Sequence, residues 1–334
     1  MLRRLVLLLF ACIAALGSPP PANCDASLRH APHYLARRGL DGPAPHIVSA
    51  NLAYRGGHDG TGIQATPRVY LVFYGRQWGR AHTSNGDLVF TNDPAGLAPR
   101  LQQFLRGLFG TEHWSTSTTQ YCDHVATGRV QCRTAGRHVT HASTTPLAGV
   151  WHDTTYNVPS GPTSRSFRAA AVRAAKHFGN TTAAANISTQ YIVVTPAGIV
   201  PPGFGTQFCA YHDWYATSVG DVAYVALPYI ADAGIGCGAN LVHAGRAGAL
   251  DGVTIVAGHE YAEALTDPFP PFGWTDADGE ENADKCAWIA SGPGAAADVA
   301  LPTGTFPVQS LWSNNANGGR GACVVYYASS STQH

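Results

Sequence analysis

Glycine and proline interrupt this chain so often, 37 and 22 times in 334 residues, that it must be built from short elements joined by many turns. Only 13% of its residues are charged, against roughly 25% in an average soluble domain. Yet 45% are hydrophobic and 10% aromatic, enough for a sizeable core and against disorder. Basic and acidic residues balance at 21 each, so nucleic acid is not the expected main partner, since phosphate binding needs clustered excess Lys and Arg. Glutamate is the scarcest carboxylate. There are five, and four of them (Glu260, Glu263, Glu280 and Glu281) fall in one short stretch.

The first seventeen residues read as an export signal. Arg3 and Arg4 precede the uncharged apolar run Leu5 to Leu16, followed by Ser18 and three prolines. The run is too short for a stable membrane anchor, and no later segment is long and apolar enough to span. The expected mature protein is therefore secreted, extracellular or periplasmic, without a membrane partner, and a monomer. Eight cysteines suit such an oxidising compartment. Cys12 leaves with the signal, and the expected bridges are local: Cys122–Cys132, Cys209–Cys237 and Cys286–Cys323. Six cysteines allow fifteen pairings, so spacing does not determine this. No CxxC pair argues for cysteine-held zinc.

Residues 18–60 are rich in Pro, Ala, Arg and Gly without clean periodicity, and read as a pro-segment or a strap across the main domain. Cys24 is left unpaired there, a thiol that could block a metal. The main domain is expected over 61–330. Arg68 to Tyr74, Gln190 to Thr195 and Val222 to Ile230 are β-branched and aromatic runs typical of buried strands. Asp93-Pro94 opens a helix carrying Leu97, Leu101, Phe104, Leu105 and Leu108 on one face, with Gly110 as its stop. A second helix is expected from Ser164 to Phe178. Helices alternate loosely with strands, which gives an α/β (α+β) class with a mixed sheet in a single disulfide-stabilised domain. Asn180-Thr181-Thr182 and Asn186-Ile187-Ser188 match the N-glycosylation pattern, meaningful only in a eukaryotic secretory pathway.

The segment Asp251 to Pro268 carries the chemistry. Asp251 can cap a helix that Pro268 helps to end. At about 100° per residue, His259 and Glu263 share one face, while Leu250, Val253, Ala257 and Ala264 lie roughly opposite, ready to pack on a core. This is the geometry of HExxH metallopeptidases, in which residues at i and i+4 hold zinc and the intervening glutamate activates water. Here the motif is HExxE, and a carboxylate is an acceptable zinc ligand. Glu281 follows 18 residues after Glu263, close to the interval at which thermolysin-like enzymes supply a glutamate from a second helix. His259, Glu263 and Glu281 are therefore the expected ligands, Glu260 the general base, and Asp284 a partner orienting His259. The roles of Glu281 and Asp284 are interchangeable on spacing alone.

Other readings compete. HExxE is a weak motif, and a helix with His and Glu on a solvated face would look the same. The alternation Asp276, Asp278, Glu280, Asn282 and Asp284 resembles a calcium loop, though without the EF-hand's sixth-place Gly and twelfth-place Glu. Ca²⁺ thus stands beside Zn²⁺ as a candidate ion. His212, next to Cys209, could polarise a carbonyl or stabilise an oxyanion, or be a loop histidine bonded to Asp213. His243 could approach from the loop before the helix. Trp274 and Trp288 flank the acidic stretch and read as core packing. Neither a G-x-S-x-G elbow nor a P-loop is present, so serine hydrolysis and nucleotide chemistry are disfavoured.

The blocks Val69 to Gly75, Phe208 to His212, Val222 to Tyr224, Cys237-Gly238 and Leu250 to Glu263, with Thr266-Asp267-Pro268 and Glu281-Asn-Ala-Asp284-Lys-Cys286, resemble a family of exported bacterial proteins with an HExxE motif. More distantly they resemble the plant EXORDIUM/phosphate-induced family. The similarity spans about 65–325 in scattered blocks. It implies a zincin-like fold and a shared metal-type site more firmly than any substrate. The helix spacing and the downstream acidic segment give the expectation of a zinc peptidase acting on an extracellular protein or peptide. The plant members' association with extracellular growth control keeps open a non-catalytic binding or signalling protein with a structural metal.

Overall fold

The structure, a computed structural model, describes residues 32–39, 51–108, 114–141 and 143–326. The signal-like residues 1–17, Cys12, Cys24 and the helix stop at Gly110 lie outside them.

A six-stranded mixed sheet forms the centre. Its strands are β1 (His33–Ala36), β2 (Arg68–Tyr74), β3 (Leu147–Asp153), β4 (Thr189–Val194), β5 (Phe208–Thr217) and β6 (Gly220–Leu227), in the spatial order β1-β5-β6-β4-β2-β3. β6, β4, β2 and β3 run parallel, whereas β5 is antiparallel to both β6 and β1. The inner strands read as unbroken apolar runs because both faces are covered. The expected strand over 222–230 is shifted: β6 spans Gly220–Leu227, and a 3₁₀ segment occupies Ile230–Cys237.

Three longer helices cover the sheet. Helix α1 (Leu97–Gly107) begins where both oxygens of Asp93 accept the Leu97 and Ala98 amides at 2.9 Å, and it buries Leu97, Leu101, Phe104 and Leu105. Helix α2 (Ser164–His177) opens with a Thr163/Ser166 capping box and buries an alanine-rich face that includes Ala170, Ala171 and Ala174. Helix α3 spans Asp251–Thr266, and all 16 of its residues are buried. Successive β5 side chains point to opposite faces of the sheet. Tyr211 accordingly meets Phe167 of α2 while His212 meets Glu260 of α3. On its far side α3 is walled by the hairpin β7 (Ala297–Leu301) and β8 (Gly304–Val308), onto which Thr254 donates to the Pro307 carbonyl at 2.6 Å.

A solvated His/Glu face is thereby excluded, since His259, Glu260 and Glu263 are as buried as the apolar face. The expected cap at Asp251 is also corrected. Leu250 holds the N-cap position, and the Asp251 carboxylate accepts the Val242 and His243 amides, fastening the preceding loop instead.

All three expected disulfides are present: Cys122–Cys132, Cys209–Cys237 and Cys286–Cys323. The sulfurs of Cys122 and Cys132 are therefore committed to each other, not to an ion near His138. Asn180 and Asn186 are buried, with their amides bonded to the Tyr191 hydroxyl and to the Asn180, Thr182 and Val219 carbonyls. They are structural residues, not glycan acceptors. The described parts of the N-terminal extension pack onto the main domain, since β1 edges the main sheet and Ala53–Tyr54 pairs with Trp274–Thr275.

Candidate metal centre

Four elements converge beneath the β1–β5 edge. Helix α3 brings His259, Glu260 and Glu263. Strand β5 brings His212, a 3₁₀ turn (Asp284–Cys286) and the loop before it bring Asp284 and Glu281, and β1 brings His33. Six of these side chains have at most 1% exposure or are Asp284 at 9%, while His33 retains 24%.

The donor atoms face one another at short range. His259 Nε2 lies 3.0 Å from Glu263 Oε1 and 3.4 Å from Asp284 Oδ1. His212 Nδ1 lies 3.3 Å from Glu260 Oε2 and 3.4 Å from Glu263 Oε2, and its Nε2 is 3.5 Å from Glu281 Oε2. His33 Nδ1 is 3.6 Å from Glu281 Oε1, and its Nε2 contacts Asp284 Oδ2. Two trios each bring one donor per residue within 4.8 Å: His33–Glu263–Asp284 and His212–Glu260–Glu263.

Most of these separations are also those of donor atoms that could share one cation. Atoms bound tetrahedrally to one zinc at about 2.0–2.2 Å lie about 3.3–3.5 Å apart. Moreover, His212 Nε2, His259 Nε2, Glu260 Oε1, Glu263 Oε2 and both Glu281 oxygens are buried without a hydrogen-bond partner. Such groups are costly to leave unpaired. Their imidazole and carboxylate donors are suited to zinc.

The ligands are held from behind. The amide of Gln309, just after β8, accepts from His259 Nδ1 at 3.0 Å and donates to the Ala283 carbonyl at 2.7 Å. This leaves Nε2 facing the cluster. The Asp284 amide donates to Glu263 Oε1 at 3.0 Å, and the Glu281 amide to Asp284 Oδ2 at 3.2 Å. Asn282 donates to the Ala262 carbonyl and to Thr266, tying the loop to α3. The Cys209–Cys237 bridge anchors β5 three residues before His212.

Burial disfavours every charge here, and mutual attraction opposes it. Burial alone would lower His212, but Glu281, Glu260 and Glu263 raise it well above its ordinary value. Burial would likewise lower His259, yet Glu263 and Asp284 raise it well above normal. Burial pushes the Glu281 carboxyl up to about 8, with His212 and His33 moderating the rise. Burial also raises Glu260. Glu263 is lowered, because His259 and His212 outweigh both burial and Asp284. Asp284 is held far below the carboxylate range, because His259 and His33 outweigh burial.

The structure brings His212, His259, Glu260, Glu263, Glu281 and Asp284 together, in an arrangement that differs from the one expected. Asp284, not Glu281, stands beside His259 Nε2, while Glu281 faces His212 and His33. Glu281 sits in a loop before a 3₁₀ turn, not on a second helix. His212 is a strand residue aimed at the cluster, and Asp213 bonds the Trp214 amide and the Tyr224 hydroxyl instead. His243 is tied to Asp251 and Asp298, each at 2.9 Å. The calcium-like alternation does not converge on one point: Asp276 accepts two loop amides and pairs with Lys285 at 2.6 Å. Trp274 packs in the core, and the Trp288 indole donates to the Ala36 carbonyl. His33 and Gln309 were not foreseen. Each comes from a segment distant in sequence, and nothing local distinguishes His33 from fourteen other histidines.

No protein-family model, curated protein or solved structure matches this chain.

Proposed function

We propose that this chain is an exported zinc-dependent peptidase with a zincin-like arrangement of sheet and active-site helix. The observation that carries the reading is the buried set of two histidines and four carboxylates with six donor atoms lacking hydrogen-bond partners. A divalent cation would neutralise and saturate it. His259, Glu263 and Asp284 are the ligands of this proposal, with Gln309 orienting His259. Bound zinc would supply a Lewis acid and an acidified water. Glu260, whose carboxyl is raised by burial, is the group to accept that water's proton and pass it to the leaving amine. His212, 3.3 Å from Glu260, holds that carboxylate in place and can donate to a developing oxyanion. Three disulfides suit an exported protein, and no helix among the described residues is long and apolar enough to cross a membrane.

Elemental analysis combined with Glu260→Gln tests this. The variant should keep stoichiometric zinc while peptide hydrolysis falls about 10²–10⁴-fold. Absence of a stoichiometric transition metal, or full activity in the variant, overturns it.

A second reading has one observation in its favour: Glu260 is completely buried beneath the β1 edge. A non-catalytic extracellular protein with a structural zinc or calcium would lose thermal stability on chelation and cleave no peptide library.

A further inference from the structure

Strand β1 is a foreign element at the site. It comes from the N-terminal extension, 251 residues away from Asp284 in sequence, and lays a histidine over the acidic cluster. Its pairing is in register with β5, His33 opposite His212 and Tyr34 opposite Tyr211. Leu35 is 1% exposed, and Tyr34 lies on Phe208 and Tyr211 with ring centroids 5.0 and 4.9 Å away. Beyond the strand, the Arg37 and Arg38 amides donate to the Gln207 and Gly236 carbonyls. The His33 ring reaches Asp284 and Glu281, and with Glu263 and Asp284 it forms one of the two ion-sized trios. A ligand in that place fills the position that a catalytic site must leave open. The strand also covers the β5 edge, where an extended peptide would otherwise pair beside His212.

The same segment carries a means of removal. Immediately after β1 comes Arg37-Arg38-Gly39, with Arg37 and Gly39 exposed and Arg38 half-buried. This is a dibasic sequence of the kind trypsin-like proteases cleave. One flank of the strand is open, bordering a hollow of about 280 Å³ lined by His33, Glu280, Asp284 and Trp288. Cleavage after Arg38 would leave β1 held by its pairing with β5, the backbone bonds of Ala36, Arg37 and Arg38, the packing of Tyr34 and Leu35, and the His33 contacts. Once untethered, it loses the high effective concentration that chain connectivity provides.

We propose that residues 33–38 are a latency strap. His33 plugs the metal centre, and hydrolysis of the Arg38–Gly39 peptide bond by a trypsin-like protease releases it. One water is consumed, leaving a carboxylate on Arg38 and a new amino group on Gly39. The strap rests on the cluster being a metal-dependent peptidase centre. The pro-segment thiol expected at Cys24 is not needed for it, because the histidine occupies the site.

The test uses the zinc-loaded secreted chain, its Arg37→Gln/Arg38→Gln double variant and His33→Ala. Each is measured before and after brief trypsin treatment. The readouts are the new N-terminus by mass spectrometry, the rate of zinc removal by a chelator, and hydrolysis of a quenched peptide library. Trypsin should create an N-terminus at Gly39 in the parent and in His33→Ala but not in the double variant, with zinc removal and hydrolysis by the parent each rising at least about tenfold. His33→Ala should show part of that rise without cleavage. If Gly39 forms and zinc exchange quickens while no peptide is cut, the strap stands and the peptidase reading falls. If the intact chain is already as active as the nicked one, or Arg38–Gly39 resists while other bonds are cut, the strap is wrong and the peptidase reading survives. If neither form binds zinc, both fall together.

Discussion

Gln309 shows how one uncharged side chain can decide what a charged cluster does. Its oxygen accepts from His259 Nδ1, and its nitrogen donates to the Ala283 carbonyl. It thus locks the imidazole's orientation and the acidic loop to each other. Gln309→Leu removes both bonds and strands a buried ring nitrogen and a carbonyl. Zinc affinity should fall about 10–100-fold, measured by competition with a chromophoric chelator. Gln309→Glu, which keeps the acceptor, should lose less. Equal affinities in the parent and the Leu variant would show that His259 needs no such support.

Among the elements, α3 is unusual because no face of it meets solvent. Its Gly252 lies against the Cys237 backbone, where an added Cβ would stand 1.9 Å from the carbonyl oxygen. The glycine therefore sets how closely the helix approaches the disulfide-bonded loop, and so the distance between His212 on β5 and Glu260 on α3. Gly252→Ala must push the two apart, and a destabilisation of about 2–4 kcal/mol is expected in denaturant or thermal unfolding. A variant as stable as the parent would mean the contact relaxes freely. The existence of this helix, its motif and its apolar stripe were legible in the sequence, because 3.6-residue periodicity is a local property. Its burial on the remaining face was not. That depends on the β7–β8 hairpin and on β1, which reach it from both ends of the chain.

At the scale of the molecule, the near-neutral composition conceals a buried negative centre that must be balanced by a cation or by protons. Without metal, protons do this. Glu281 is pushed up to about 8 from an ordinary 4.5 by burial, so the folded state keeps a proton that the unfolded chain has released. Its contribution to stability therefore declines as pH rises from about 4.5 to 8. Burial would lower His33, but Glu281 and Asp284 raise it from 6.5 to about 10, so its contribution is full below 6.5 and lost as pH rises through 10. Both signs agree. The chelated protein should lose thermal stability progressively above about pH 6, and zinc should both raise Tm and flatten that decline. Scanning calorimetry with and without chelator checks this. A Tm that rises with pH in the chelated protein, or superimposable curves, would contradict it.

Three of the six sheet strands, the two amphipathic helices α1 and α2 and the HExxE segment were legible in the sequence, and the three local bridges are one of the pairings it allows. Each depends on neighbours within a turn, a strand or a few dozen residues. The redistribution of roles was decided by tertiary structure: Asp284 beside His259, Glu281 turned to His212, Gln309 behind the imidazole and His33 over the top. Local pattern records which side chains share a face, but not which distant segments converge on it. That convergence is set by sheet order and loop path. In this fold the β1 edge brings residue 33 to residue 284.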